Sequence, residues 1–169
     1  QFKKDVLNKL KNTKTMIKEK YLGAYMKTAK VFAELSSAKR KHVGAVIVKD
    51  DRIISIGYNG MPSGWDNNCE DMFITQEEIS PGVFSLTKKT ELKTKSEVLH
   101  AESNAIAKLA KSTESGDGAS MFITCAPCMD CAKMIFQSGI KEVFYGEDYR
   151  DDTGISFLNK CGITVKQII

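Results

Sequence analysis

A short apolar run, Met121-Phe122-Ile123-Thr124, lies between two segments that carry reactive side chains, and that placement restricts the fold more than any other feature. Ahead of the run, His100-Ala101-Glu102 opens a helical pattern extending from Ala101 to Lys111. Behind it, Pro127-Cys128-Met129-Asp130-Cys131 opens a second, from Cys128 to Ser138. When a strand is flanked by helices in this order, both helix N-termini fall beyond the same edge of the sheet, where open α/β sheets hold their ligands. An imidazole, a carboxylate and the thiols of one C-x-x-C pair are brought together by chain order alone.

The residue types define what can happen there. Cys128 and Cys131 are three apart, so on a helix they share a face about one turn apart. Pro127 suits a helix start, where its missing N–H is no loss, and the positive end of the helix favours thiolate over thiol. With His100 they form the three-ligand set of a catalytic zinc site, whose fourth position stays open. Glu102 lies roughly 200° around a regular helix from His100, so both serve one metal only if this is the first helical turn, with Glu102 beside the water. Cys125 extends the pair to C-x-x-C-x-x-C, like the start of an iron–sulfur run, but the next cysteine is Cys161. Cys125 is therefore read as a strand-end residue near the metal and not as a ligand.

A chain of 169 residues, 42% hydrophobic and 27% charged, fits one soluble domain. There is no run of ~18 apolar residues to span a membrane, and Gln1-Phe2-Lys3-Lys4-Asp5 lacks the apolar core of a signal peptide. Five cysteines without a disulfide framework point to a reducing, cytoplasmic setting. The net charge of +4 suits a small polyanionic ligand; the lysines between residues 3 and 20 read as a solvated helix face, and no nucleic-acid partner is expected.

Val6, Leu7, Leu10 and Ile17 recur at helical spacing, which divides the chain into an N-terminal helical extension, 1–22, and a catalytic domain, 23–169. A second helical pattern runs from Tyr25 to Leu35. Val43–Val48 is a buried strand, Asp50-Asp51 turns the chain, and Arg52–Tyr58 returns antiparallel to it. Asn59–Asn68 is a loop, and Cys69–Ser96 reads as a weakly patterned, polar and mobile insertion. After the helix–strand–helix unit come a strand at Val143–Tyr145, a helix at Gly154–Lys160 and a strand at Ile163–Ile168. This order predicts a three-layer α/β/α fold: a five-stranded mixed sheet, mostly parallel, with one antiparallel hairpin.

The spacing H-x-E followed by P-C-x-x-C is the known signature of zinc-dependent base deaminases. Closer matches lie in Val43–Val48, in Gly57-Tyr58-Asn59-Gly60-Met61-Pro62-Ser63-Gly64, in His100–Ile106 and in Gln137–Val143. On these residues, over about Tyr25 to Ile168, the chain resembles the cytidine deaminase superfamily and, within it, the deoxycytidylate deaminases. The Gly-Tyr-Asn-Gly-x-Pro-x-Gly loop is the most discriminating part of the match. The resemblance implies a cytidine-deaminase-like fold and hydrolysis of dCMP to dUMP for thymidylate supply, with acceptance of dCTP left open. It implies one catalytic Zn2+ per chain on His100, Cys128 and Cys131, with Glu102 as the catalytic proton carrier. Substrate contacts are expected from Asn59 to the sugar, Arg40 to the phosphate, Ala101, and Tyr149 or Tyr145 closing over the pocket. It further implies a hexamer, activated by dCTP and inhibited by dTTP, with Mg2+ accompanying the nucleotide near Gly60, Met61, Pro62 and Gly64.

One departure stands out. Some viral relatives bind a second, structural zinc; here Cys69 matches a ligand position, but Ala38 replaces a cysteine and Thr90 and Thr94 replace histidines. One metal per chain is expected. Two other readings share part of the pattern. A nucleic-acid deaminase of the tRNA adenosine type needs basic and aromatic surface for stacking, and the chain has a single tryptophan, Trp65. A non-catalytic zinc or iron–sulfur module has no use for Glu102.

Overall fold

The computed structural model describes residues 17–168, so the helix expected over 3–20 lies almost wholly outside them. In chain order the elements are α1 (Glu19–Ala33), β1 (Gly44–Lys49), β2 (Arg52–Tyr58), β3 (Glu70–Ser80), β4 (Val83–Thr94), α2 (Ala101–Leu109), β5 (Ser120–Cys125), α3 (Met129–Gln137), β6 (Glu142–Glu147), α4 (Thr153–Lys160) and β7 (Thr164–Gln167). Helix α1 starts at Glu19 rather than Tyr25 and runs through the boundary drawn between 22 and 23.

The main sheet has the order β2-β1-β5-β6-β7. Strands β5, β6 and β7 are parallel, while β1 is antiparallel to both β2 and β5. The expected hairpin is present, and its inner strand is the single member that opposes the common direction. Its link, Asp50-Asp51, places both residues at positive φ, 51° and 56°, as a type I′ hairpin turn requires.

Side-chain alternation builds the layers. From one face Val46, Val48, Phe122 and Phe144 pack against Met26 and Ala29 of α1, with Phe122 stacked on Phe144 at 4.8 Å between ring centroids. From the other face Ala45, Ile47, Met121, Ile123 and Val143 meet Ala101, Ala105, Ala132, Ile135 and Leu158 of α2, α3 and α4. One helix on one side and three on the other give the α/β/α arrangement read from the sequence.

The segment Cys69–Ser96 departs from expectation. It is a two-stranded antiparallel ribbon, β3 with β4, whose register runs from Glu70↔Thr94 to Ser80↔Val83. The tip is Pro81-Gly82 with Gly82 at φ 78°, the residue pair and conformation of a tight turn. Among the described side chains of the ribbon neither face is buried along its length, and the strands lack the apolar alternation that betrays a half-buried strand. Met72, Phe73, Ile74, Ile79, Val83 and Phe84 are all exposed.

Candidate active site

Two helix starts build the centre. His100 is the N-cap of α2 (φ −77°, ψ 154°) and Cys128 the N-cap of α3 (φ −69°, ψ 169°). An N-cap side chain ordinarily bonds back to a free N–H of its own helix. Neither of these does. Only their carbonyls join the helices, accepting from Asn104 N–H at 3.0 Å and Ala132 N–H at 2.9 Å. The side chains are left to point at each other, and Pro127 stands just before the cap rather than in the first turn.

Each start is seated against the sheet or a neighbouring helix by a residue that must lack a side chain. A Cβ on Gly57 of β2 would lie 2.1 Å from the Ala101 carbonyl oxygen, and one on Gly154 of α4 would lie 2.1 Å from that of Pro127. Asn104 fixes α2 further by donating to the Tyr58 carbonyl at 2.8 Å. Leu99 and Gly60 exchange backbone hydrogen bonds of 2.9 and 3.1 Å, holding the chain on its way into His100.

His100 Nδ1 lies 3.6 Å from Cys128 Sγ and 3.4 Å from Cys131 Sγ. The three ligand atoms all fall within 4.8 Å of one another. Zinc at the centre of a tetrahedron, with usual bond lengths to nitrogen and sulfur, separates those atoms by ~3.6 Å, so the donor set fits the ion. Hydrogen bonds from Cys131 and His100 hold Cys128 down at about 4, while the Cys128 hydrogen bond and burial push the Cys131 thiol up. His100 is raised, chiefly by its bond to Cys128. Glu102 is only 4% exposed, and burial lifts it to about 7. His100, Cys128 and Cys131 all act on its titration, which places the carboxylate beside the donor cluster.

These residues open onto a cavity of about 320 Å³. Of the expected substrate contacts, Arg40, Asn59, Ala101 and Tyr149 line it, together with His100, Glu102 and Cys128. Tyr145 and the residues Gly60, Met61, Pro62 and Gly64 are outside that lining. Asn59 works on the backbone: its Oδ1 accepts from Val43 N–H at 2.8 Å and its Nδ2 donates to the Lys41 carbonyl at 2.9 Å. An amide nitrogen carries two N–H groups, so one remains for a ligand. Gly60 is buried with its N–H on the Leu99 carbonyl; Met61 packs on the cluster of Ala38, Cys69 and Val98; Gly64 turns the exposed end of the loop at φ 86°. Cys125 ends β5, its Sγ 3.6 Å from the Asp148 carbonyl. Cys69 is buried against Ser37, whose Oγ lies 3.4 Å away.

Among the further residues that line the cavity, five are polar or charged and were not named as contacts from the sequence: Lys41, Glu70, Thr94, Asp148 and Arg150. Lys41 pairs with Glu147 at 3.0 Å, and the Arg150 guanidinium sits 5.3 Å from the Tyr149 ring centroid. The neighbours Arg40 and Tyr149 were available signals for Lys41 and Arg150. Glu70 and Thr94 lay hidden in the segment read as an insertion.

A sheet of this order with a histidine and a cysteine-pair motif capping adjacent helices defines a zinc-dependent hydrolytic deaminase, and comparison with known proteins agrees. The family model described as the cytidine and deoxycytidylate deaminase zinc-binding region matches residues 19–147, and the chain belongs to that family. It is 36% identical over 152 residues to the deoxycytidylate deaminase of Homo sapiens, covering 86% of this chain and 78% of the human one. It is 43% identical over 137 residues to the deoxycytidylate deaminase of Enterobacteria phage T4, covering 63% and 67%. Among solved structures, the dCMP deaminase of cyanophage S-TIM5 in complex with dCMP and dUMP superposes with a TM-score of 0.75 at 42% identity, covering 90% of this chain and 99% of that one. No helix of the described residues is long and apolar enough to cross a membrane.

Proposed function

We propose that the chain hydrolyses dCMP to dUMP and ammonia. One observation carries the reading: Glu102, buried beside His100, Cys128 and Cys131, shares a single cavity with the cations Arg40, Lys41 and Arg150. A centre for hydrolysing an amine and an anion-binding rim fit one ligand that has both a cytosine and a phosphate. The likeness to a cyanophage enzyme solved with dCMP and dUMP supports the same substrate.

His100, Cys128 and Cys131 would hold a zinc ion, which would supply the Lewis acidity that makes water nucleophilic near neutral pH. Glu102 takes a proton from that water and delivers it to ring N3 as the C4–O bond forms. It then carries the second proton to the exocyclic nitrogen as the C4–N bond breaks, and ammonia leaves. A group that accepts and returns protons works best with its pKa near the working pH, and burial brings Glu102 to about 7. Arg40 presents a planar fork to the phosphate. The uncommitted N–H of Asn59 is directed to the sugar, Ala101 contacts the base, and Tyr149 closes over it.

The proposal extends to control by dCTP as activator and dTTP as inhibitor, with Mg2+, at the loop Gly60–Gly64 of a hexamer. Its support in the molecule is the pair of hydrogen bonds between Gly60 and Leu99, which ties that loop to the residue preceding His100.

Ammonia release from dCMP, dCTP, cytidine and a single-stranded oligonucleotide tests the substrate, and titration with dCTP and dTTP tests the control. Turnover of dCMP above the others is expected. Activity on the oligonucleotide alone would overturn the substrate, and indifference to both triphosphates would remove the regulation.

A further inference from the structure

We propose that Glu70 and Thr94, at the root of the β3–β4 ribbon, position Arg40 for the substrate phosphate; this rests on the nucleotide reading above. The two residues are register partners at the open end of the ribbon. Along β3, Glu70 is the one buried residue. Its carboxylate is turned to the main chain before β1: Lys39 N–H lies 3.0 Å from each oxygen, and Arg40 N–H lies 3.2 Å from Oε1. Thr94 Oγ1 accepts from Arg40 Nη1 at 3.0 Å. Arg40 is thus gripped at both ends, its backbone by one ribbon strand and its guanidinium by the other.

The grip matters because a free arginine side chain carries rotamer entropy that binding must overcome. A fork ordered in advance lowers that cost, and five N–H donors leave several for a phosphate after one is engaged by Thr94. Arg40, Glu70 and Thr94 line the same cavity as His100 and Glu102, so the orientation set at the ribbon root is felt where the ligand sits. A carboxylate accepting backbone N–H groups is a strong anchor, and here three such contacts turn it to the main chain of Lys39 and Arg40. Glu70 and Thr94 are positioning residues, and the ribbon root becomes part of substrate selection.

Steady-state kinetics of the zinc-loaded enzyme on dCMP decide the matter. Thr94→Val removes the acceptor and keeps the shape; it is expected to raise KM about fivefold, the equivalent of one hydrogen bond, with kcat changed less than twofold. Thr94→Ser is expected to restore KM, Glu70→Gln to raise it, and Thr94→Val to add nothing in an Arg40→Ala background. Should Glu70→Gln fail to fold, the Thr94 series carries the test alone. A large KM defect in Arg40→Ala with a wild-type KM in Thr94→Val would overturn this proposal and leave the phosphate role of Arg40 intact. A wild-type KM in Arg40→Ala would overturn both.

Discussion

The two walls of the cavity are built in opposite ways. The wall that carries His100, Cys128 and Cys131 is the start of α2 and α3, helices whose buried faces pack against β1, β5 and β6. The other wall is the root of a ribbon that buries one residue of β3 and leaves the rest exposed. Ligand geometry is therefore held by the whole core, whereas the recognition side hangs on a two-stranded element of a kind that is marginal alone. On the proposed function, the difference shows where substitutions are tolerated: the wall proposed for chemistry is fixed by packing at a distance, the wall proposed for selection by a few polar contacts at the ribbon base.

Mutations on the two sides sharpen that contrast. Phe122, fully buried and stacked on Phe144, is expected to cost about 4 kcal/mol when replaced by alanine, read from urea unfolding. Phe73 of the ribbon is 48% exposed, and Phe73→Ala is expected to change stability by no more than about 0.5 kcal/mol. Comparable losses at both positions would break the comparison.

Between these extremes lies Glu102. Burial raises its folded pKa from 4.5 to about 7, so across that interval the native state binds more protons than the unfolded one. The Glu102 contribution to the stability of the chelated, metal-free protein should then fall as pH rises from 5 to 8, by roughly 2–3 kcal/mol, against an opposite contribution from Cys128, whose lowered thiol favours the native state as pH rises. Glu102→Gln has no such proton, so the difference in stability between wild type and variant should change by that amount across the interval. Bound zinc favours the carboxylate and should shrink the slope. Equal slopes in the wild type and Glu102→Gln, both metal-free, would contradict the burial argument.

Much of this was legible in the sequence, for physical reasons that can be named. The strand Ser120–Cys125 was readable as a short apolar run because both its faces are buried, its flanking helices because one face of each is, and the candidate ligands mark both helix starts. Asp50-Asp51 was readable as a turn because few residues accept that backbone. The ribbon was missed because exposed strands carry no apolar period, although Pro81-Gly82 was a turn signal in plain view. Glu70 and Thr94 could not be assigned because their partners, Lys39 and Arg40, lie 31 and 54 residues away along the chain. Nor does periodicity report that β1 would dock against β5.

In the proposed mechanism Glu102 moves protons beside a zinc it does not bind. The most direct test is zinc content and dCMP turnover measured on the same preparations of the wild type and Glu102→Gln. One zinc per chain in both, with turnover lowered about a thousandfold in the variant, is the expected result. Substantial turnover in Glu102→Gln, or a loss of turnover that merely follows a loss of zinc, would contradict the account.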